Sequence, residues 1–397
     1  MAKPDTLKER IRQKAQKLLP QQIRWRRHLH QYPELSNEEF KTTEYIRANV
    51  KNAGLKEITI KQETGLLAEL NGTNGGRTVA IRTDIDALPV TETTGLSYQS
   101  KINGRMHACG HDMHMAVVLG VANLLAELKS EFHGNVRFVF QPAEEMPPGG
   151  ARPMIAGGAL KDVSMILAMH VDPHLATGKI SLLDGVAMAS VTDFDLTIHG
   201  RGGHAARPNN AVDAIAVAAD VVNALQKIVS RQIDPISPVV ITIGKISGGT
   251  ARNTICDRVN LVGTARALTP SVARKVAGLI RKTAGGVCRA HGASLEMNII
   301  ADYPPLSNHP RANKLLRANF EGLFGKGKIE DTEQVLGGED FACYLEKTTG
   351  AMFRLGIMNK KIKADKGWHS PLFIADEQAI FYGTALLAST AIDYLRS

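Results

Sequence analysis

The stretch His107-Ala108-Cys109-Gly110-His111-Asp112-Met113-His114 packs a thiol, three imidazoles and a carboxyl into eight residues. A thiolate beside imidazoles suits a divalent transition metal. The paired C-x₂-C ligands of a structural zinc site are absent, since Cys256, Cys288 and Cys343 each stand alone. Taken by itself, the stretch leaves two readings open. It could bind metal, or Cys109 could be a small core residue and the histidines could cap a following helix.

Further groups of the same chemistry recur downstream. Gln141-Pro142-Ala143-Glu144-Glu145 follows an apolar run ending at Phe140, and His170 closes another. Asp84 and Asp86 lie just past a third, Thr78–Asp84. In open α/β sheets, ligands collect outside the carboxyl ends of the strands. Acids and imidazoles at several successive strand ends are hard to explain by packing. Two adjacent glutamates suggest divided labour: one carboxylate binds metal while its neighbour takes a proton from water.

The elements that must carry these residues read as follows. Strands are expected at 78–84, 135–140 and 164–170, each almost wholly apolar inside. Val117, Val121, Leu124, Leu125 and Leu128 mark a helix between the first two. The pattern then changes. A strand over 192–199, a helix over 211–229, strands over 239–246 and 255–267, a helix over 271–291 and a strand over 294–300 follow. That order is the ferredoxin-like β-α-β-β-α-β. After it the chain resumes α/β character and ends in a helix near 381–395. The expected division is a discontinuous α/β domain, 1–186 with 302–397, interrupted by a smaller domain, 187–301.

The chain of 397 residues is 44% hydrophobic and 22% charged, which excludes a largely disordered protein. Four cysteines in this length exclude a disulfide scaffold and suit a reducing, cytoplasmic compartment. The net charge of +9 invites a nucleic-acid or membrane partner. Residues 1–30, however, hold nine Lys and Arg against Asp5 and Glu9, leaving about +2 for the remainder. Leu7, Ile11, Ala15 and Leu18 recur at helical spacing there, giving an amphipathic helix with a solvated basic face. A binding arm for an acidic partner is the alternative. No finger, RNP-type aromatic motif or spread basic stripe supports nucleic acid, and no run reaches the roughly 18 apolar residues of a membrane span.

Read in order, these stretches resemble the M20 metallopeptidase family, in particular its amidohydrolase branch of hippurate, N-acyl-amino-acid and auxin-conjugate hydrolases. The resemblance rests on Arg26-Arg27-His28-Leu29-His30, the RTDIDALP run from Arg82, HACGHD from His107 and QPAEE from Gln141. It continues through GRGGHAARP from Gly200, GGTARN from Gly248, Glu339-Asp340-Phe341 and Trp368-His369-Ser370-Pro371. It implies an α/β, mixed-sheet catalytic domain holding two divalent ions (Mn, Zn, Co or Ni), with the inserted domain acting as lid and homodimer interface. By the resemblance, Cys109 bridges the ions, His111 and His170 ligate one, and Glu145 and His369 the other. Glu144 matches the general base and His204 a histidine that stabilises the oxyanion. Asn253 matches a residue near the substrate carboxylate, with Arg266 assisting. Asp84 orients a ligand from behind.

The resemblance implies hydrolysis of a small N-acyl amino acid, with no nucleic-acid or membrane partner. A dipeptidase or aminopeptidase of the same fold is the near alternative, and a non-catalytic metal-binding protein the distant one. Arg82 stands where many M20 peptidases have His, which favours the amidohydrolase branch. Cys256, Gly338 and Pro147-Pro148 depart from the usual pattern and bear on the substrate rather than the reaction. Among the other polar residues, His28 and His30 are expected to pack, His107 to be structural, and His114 to support a ligand or face the substrate rather than ligate. Asp112 is expected to cap a helix or hold a ligand.

Overall fold

A computed structural model describes residues 6–397, so Lys3 and Asp5 of the basic segment lie outside the described residues. The chain divides into two units, 6–185 with Ser307–Glu333 and Cys343–Ser397, and Val186–Leu306 with Gln334–Ala342.

The first unit begins with α1 (Leu7–Gln31) and α2 (Phe40–Asn52). Then come β1 (Lys56–Ile58), β2 (Leu66–Asn71), β3 (Thr78–Asp84), α3 (His111–Glu127), β4 (Asn135–Gln141), β5 (Val163–Ala176) and β6 (Ile180–Leu182). In the second unit follow β7 (Ser190–His199), α4 (Ala214–Arg231), β8 (Val239–Gly248), β9 (Arg258–Ala267), α5 (Pro270–Ala290) and β10 (Ser294–Tyr303). The chain returns to the first unit with α6 (Pro310–Phe324), β11 (Ile329–Asp331), β12 (Gly350–Met358) and α7 (Ala379–Arg396).

The first unit is built on an eight-stranded mixed sheet of order β1-β2-β4-β3-β5-β12-β6-β11. Its centre, β4-β3-β5-β12, is parallel. β3 is buried at all seven positions, as expected of a strand covered on both faces. β5 runs six residues beyond His170, because β12 keeps pairing with it as far as Ala176. The sequence pattern breaks earlier, at Asp172-Pro173.

α3 packs between α1, α7 and the sheet and is buried along most of its length, so apolar residues surround it rather than forming a stripe. Gly120 admits Gln22 of α1, whose amide donates to Ala116 O at 3.0 Å and Thr384 Oγ1 at 2.7 Å. A Cβ on Gly120 would meet Gln22 Nε2 at 1.8 Å.

α1 starts with a capping box between Thr6 and Glu9 and buries Ile11, Ala15, Leu19, Trp25 and Leu29. Part of its basic face is paired: Arg10 reaches Glu131 at 2.6 Å, and Lys14 reaches Glu127. Among the described residues no helix is long and apolar enough to cross a membrane.

The second unit has the expected β-α-β-β-α-β order, its four strands antiparallel as β8-β9-β7-β10. α4 and α5 cover one face, burying Val217, Val221, Leu225, Val276 and Ile280 over Phe194, Leu196 and Leu261. This unit also takes in Gln334–Ala342, a stretch the sequence division assigns to the α/β domain. Backbone bonds hold it there: Ala189 N–H donates to Val335 O and Gly337 O, and Val335 N–H to Ala187 O. Cys256 donates its thiol to Arg258 O at 3.0 Å, and Cys288 is core.

Candidate metal centre

The carboxyl ends of β3 and β4 deliver Asp84 and the Glu144–Glu145 turn, β5 carries His170 midway along its length, and α3 starts among them with His111. Gly110, at the N-cap of α3, has φ +93°, and a Cβ there would meet Val171 Cγ2 at 2.4 Å. Only glycine allows this close approach of Cys109 and His111 to β5. Two residues beside the centre adopt left-handed backbone without being glycine, Ala143 at φ 51° and His369 at φ 62°. Strain of this kind persists where surrounding contacts fix it. Ala143 N–H donates to Glu39 Oε1 at 2.8 Å, and His369 N–H to Ala108 O at 2.9 Å.

The side chains form two clusters that share a sulfur. Cys109, His111 and His170 bring one ligand atom each within 4.8 Å of one another, and so do Cys109, Glu145 and His369. His111, Glu144 and Glu145 form a third such set. Cys109 Sγ lies 3.5 Å from His170 Nε2, and His369 Nε2 lies 3.4 Å from Glu145 Oε1.

Surrounding bonds leave the facing nitrogens free to ligate. His111 Nδ1 donates to Asp86 O at 2.9 Å, and His170 Nδ1 to Val171 O at 2.8 Å. Each proton is thereby fixed on Nδ1, leaving the Nε2 lone pair toward the cluster. His111 Nε2 is buried with no hydrogen-bond partner. Asp86 also accepts from Glu145 N–H at 2.9 Å and Ser36 Oγ at 2.7 Å, so it aligns the glutamate turn with α3.

The electrostatics ask for cations. Burial alone would lower His111, but Asp84, Asp86 and Glu145 push it up to about 10. Burial, then Glu145 and Glu144, raise the Cys109 thiol well above its usual range. A thiolate there needs a positive charge alongside. The hydrogen bond to Glu145 raises His369. Burial and the neighbouring His114 hold His170 well below an ordinary histidine, the neutral state a ligand requires. An orphaned imidazole nitrogen, a shared thiol and clustered carboxylates fit two divalent ions.

A profile of the peptidase family M20/M25/M40 matches residues 80–393. The chain belongs to this family. Over 377 residues it is 38% identical to N-acetylcysteine deacetylase of Bacillus subtilis, covering 94% of this chain and 97% of the relative. It is 36% identical to thermostable carboxypeptidase 1 of Saccharolobus solfataricus over 375 residues, 94% and 95% of the two chains. A crystal structure of a dinuclear metal binding M20 peptidase from Bacillus subtilis superposes with a TM-score of 0.83 at 34% identity, covering 96% and 99%. As an M20 protein, this chain is a hydrolase of amide bonds.

The remaining sequence-singled residues fall into three places. Asp84 does not hold a cluster imidazole directly. Its Oδ1 contacts His114 Nδ1 at 2.6 Å, its Oδ2 accepts from Arg82 Nη1 at 2.9 Å, and His111 Nε2 is 3.8 Å away. Burial opposes ionisation, but His111, the His114 ring and Arg82 hold Asp84 well below the carboxylate range.

In the second unit His204 and Asn253 come together. A two-stranded ribbon pairs His204 with Thr254, and Ala205 N–H donates to Asn253 O at 3.1 Å. Both side chains are exposed. Arg266 does not join them. It sits eight residues along β9 from Arg258, roughly 26 Å at strand rise, and lies 3.8 Å from Asp193.

Asp112 is neither a cap nor a support for an imidazole of the clusters. It lies inside α3, completely buried, 2.7 Å from Arg26 Nε and 2.8 Å from His30 Nδ1. His30 Nε2 contacts Glu92 at 3.2 Å, so two carboxylates raise this imidazole despite burial and Arg26. His107 is buried with neither ring nitrogen hydrogen-bonded, and burial lowers it to about 4. His28 stacks on Tyr45 at 4.1 Å. Sequence reasoning missed Glu39, which holds Ala143 and which burial and Asp86 push up to about 7. No local signal marks it, since it sits 104 residues from its partner.

Proposed function

We propose that the protein hydrolyses the amide of N-acyl amino acids, with acetyl, benzoyl or similar acyl groups, at a dinuclear divalent centre. Cys109 with His111 and His170, and Cys109 with Glu145 and His369, would hold the ions, which are Mn, Zn, Co or Ni. A bound pair supplies Lewis acidity, polarising the substrate carbonyl and acidifying water. Glu144 accepts the proton of the attacking water and delivers it to the leaving amine nitrogen. His204 steadies the developing oxyanion, and Asn253 receives the substrate carboxylate. Asp86 keeps His111 and the Glu145 backbone in register. The observation that carries this reading is the sharing of Cys109 by both clusters, with Glu144 beside them.

Four free, buried cysteines suit a cytoplasmic setting. The inserted unit would form a homodimer along β8, an edge strand with Val240 37% and Ile246 58% exposed. Light scattering should then give twice the chain mass, and a monomer at micromolar concentration refutes the dimer.

A panel of N-acetyl and N-benzoyl amino acids against free dipeptides, with Mn²⁺ or Zn²⁺ added, tests the substrate class. Faster turnover of the acyl amino acids is expected. Preference for dipeptides would favour the peptidase reading, consistent with the carboxypeptidase relative. No chelator-sensitive hydrolysis of either class would refute both.

A further inference from the structure

We infer that His114 is a positioning residue for the Cys109–His111–His170 cluster, acting through the backbone of Val171 rather than as a ligand. It stands three residues from His111 on α3, and with Asp84 and His111 it forms a set that resembles a metal site. The hydrogen bonds exclude that role. Val171 N–H donates to His114 Nε2 at 3.0 Å. A backbone N–H can only donate, so the Nε2 lone pair is used. The proton of the neutral ring therefore lies on Nδ1 and goes to Asp84 Oδ1, 2.6 Å away. Arg82 closes the chain, donating to Asp84 at 2.9 Å and to Gln141 Oε1 at 3.0 Å.

Val171 is the residue on which the cluster hangs. Its carbonyl accepts from His170 Nδ1 at 2.8 Å and from Trp368 Nε1 at 3.0 Å. Trp368 is the neighbour of His369 in the other cluster. β3 pairs with β5 only as far as Arg82 opposite Ala168. Beyond that point β5 needs another acceptor for the Val171 N–H, and His114, 0% exposed, provides it. His114 thus fixes the backbone whose carbonyl sets the His170 ring and its tautomer.

The inference rests on the two-ion reading, and the test separates the two. Zn²⁺ affinity of the full chain is measured by competition with a chromophoric chelator, in an H369A background that removes a ligand from the other cluster only. His114→Asn retains a donor near the Nδ1 position and loses the acceptor for Val171. His114→Gln places an amide oxygen near the Nε2 position and retains it. The expected result is a Zn²⁺ dissociation constant raised about 10- to 100-fold in H114N, as for other residues that hold a ligand in place. H114Q should recover most of that loss, with circular dichroism spectra alike. Unchanged affinity in H114N, or equal loss in H114Q, overturns the positioning role and leaves the metal reading intact. Failure of the H369A parent to bind Zn²⁺ overturns the metal reading and this inference together.

Discussion

Glu144→Gln should lower the turnover of an N-acyl amino acid by about 10²- to 10⁴-fold while leaving the metal content unchanged, the range typical for loss of a positioned general base. Glu144 and Glu145 are adjacent, but they stand differently. Glu145 is tied through its backbone to Asp86 and reaches both His111 and His369, at 3.9 and 3.4 Å. Glu144 shares a set with His111 and Glu145 but not the cysteine clusters. The amide of glutamine keeps the size and the hydrogen-bonding capacity of the side chain but cannot take a proton at neutral pH. The measurements are steady-state kinetics and plasma mass spectrometry on one preparation. A variant that loses its ions along with activity would make Glu144 a ligand instead.

Cys109→Ala should have the second large effect, and by a different route. Sγ belongs to both clusters, so in the proposed centre its removal would take a ligand from both ions at once. Supporting residues around metal ligands are worth about 10- to 100-fold in affinity, and a shared ligand should exceed that at each site. The fold should survive, because alanine fits a small buried position, 8% exposed, that forms no disulfide. The expected protein melts cooperatively, holds fewer than two ions and turns over substrate at least about 100-fold more slowly.

The clustering of the candidate ligands was legible in the sequence because they sit in short motifs on or just after apolar strands. Asp84, Glu144, Glu145 and His170 all follow apolar runs that became β3, β4 and β5, and HACGHD starts α3. The insertion was legible because β-α-β-β-α-β patterning differs from the strand–helix alternation around it. What was hidden depends on long-range partners. Arg26 and Asp112 form a fully buried ion pair across 86 positions, where the sequence suggested a helix cap. Gln334–Ala342 joins the second unit through backbone bonds, which leave no side-chain signature. The sequence suggested that His114 supports a ligand, but not that it does so by accepting the Val171 N–H. Arg266 and His204 both lie in the insertion, but the register of β9 puts Arg266 opposite Val191, at the far end from the Arg258–His199 pair.

The +9 charge has a local explanation as well. Arg10, Lys14, Arg26 and Arg27 of α1 are paired with Glu131, Glu127, Asp112 and Glu377. Half of the eight Lys and Arg of α1 are thus ion-paired within their own domain. Attraction for the carboxylate of an acyl amino acid would come from the ions and a few nearby residues.

The central claim is that two ions sharing Cys109 drive amide hydrolysis. It is tested most directly by titrating metal-stripped wild-type protein with Mn²⁺ or Zn²⁺ while following release of the free amino acid, with C109A in parallel. The account predicts that activity appears with the ions and saturates at two per wild-type chain, and that C109A neither fills nor turns over. Full activity in the stripped protein, saturation at one ion, or a C109A chain that still holds two would contradict it.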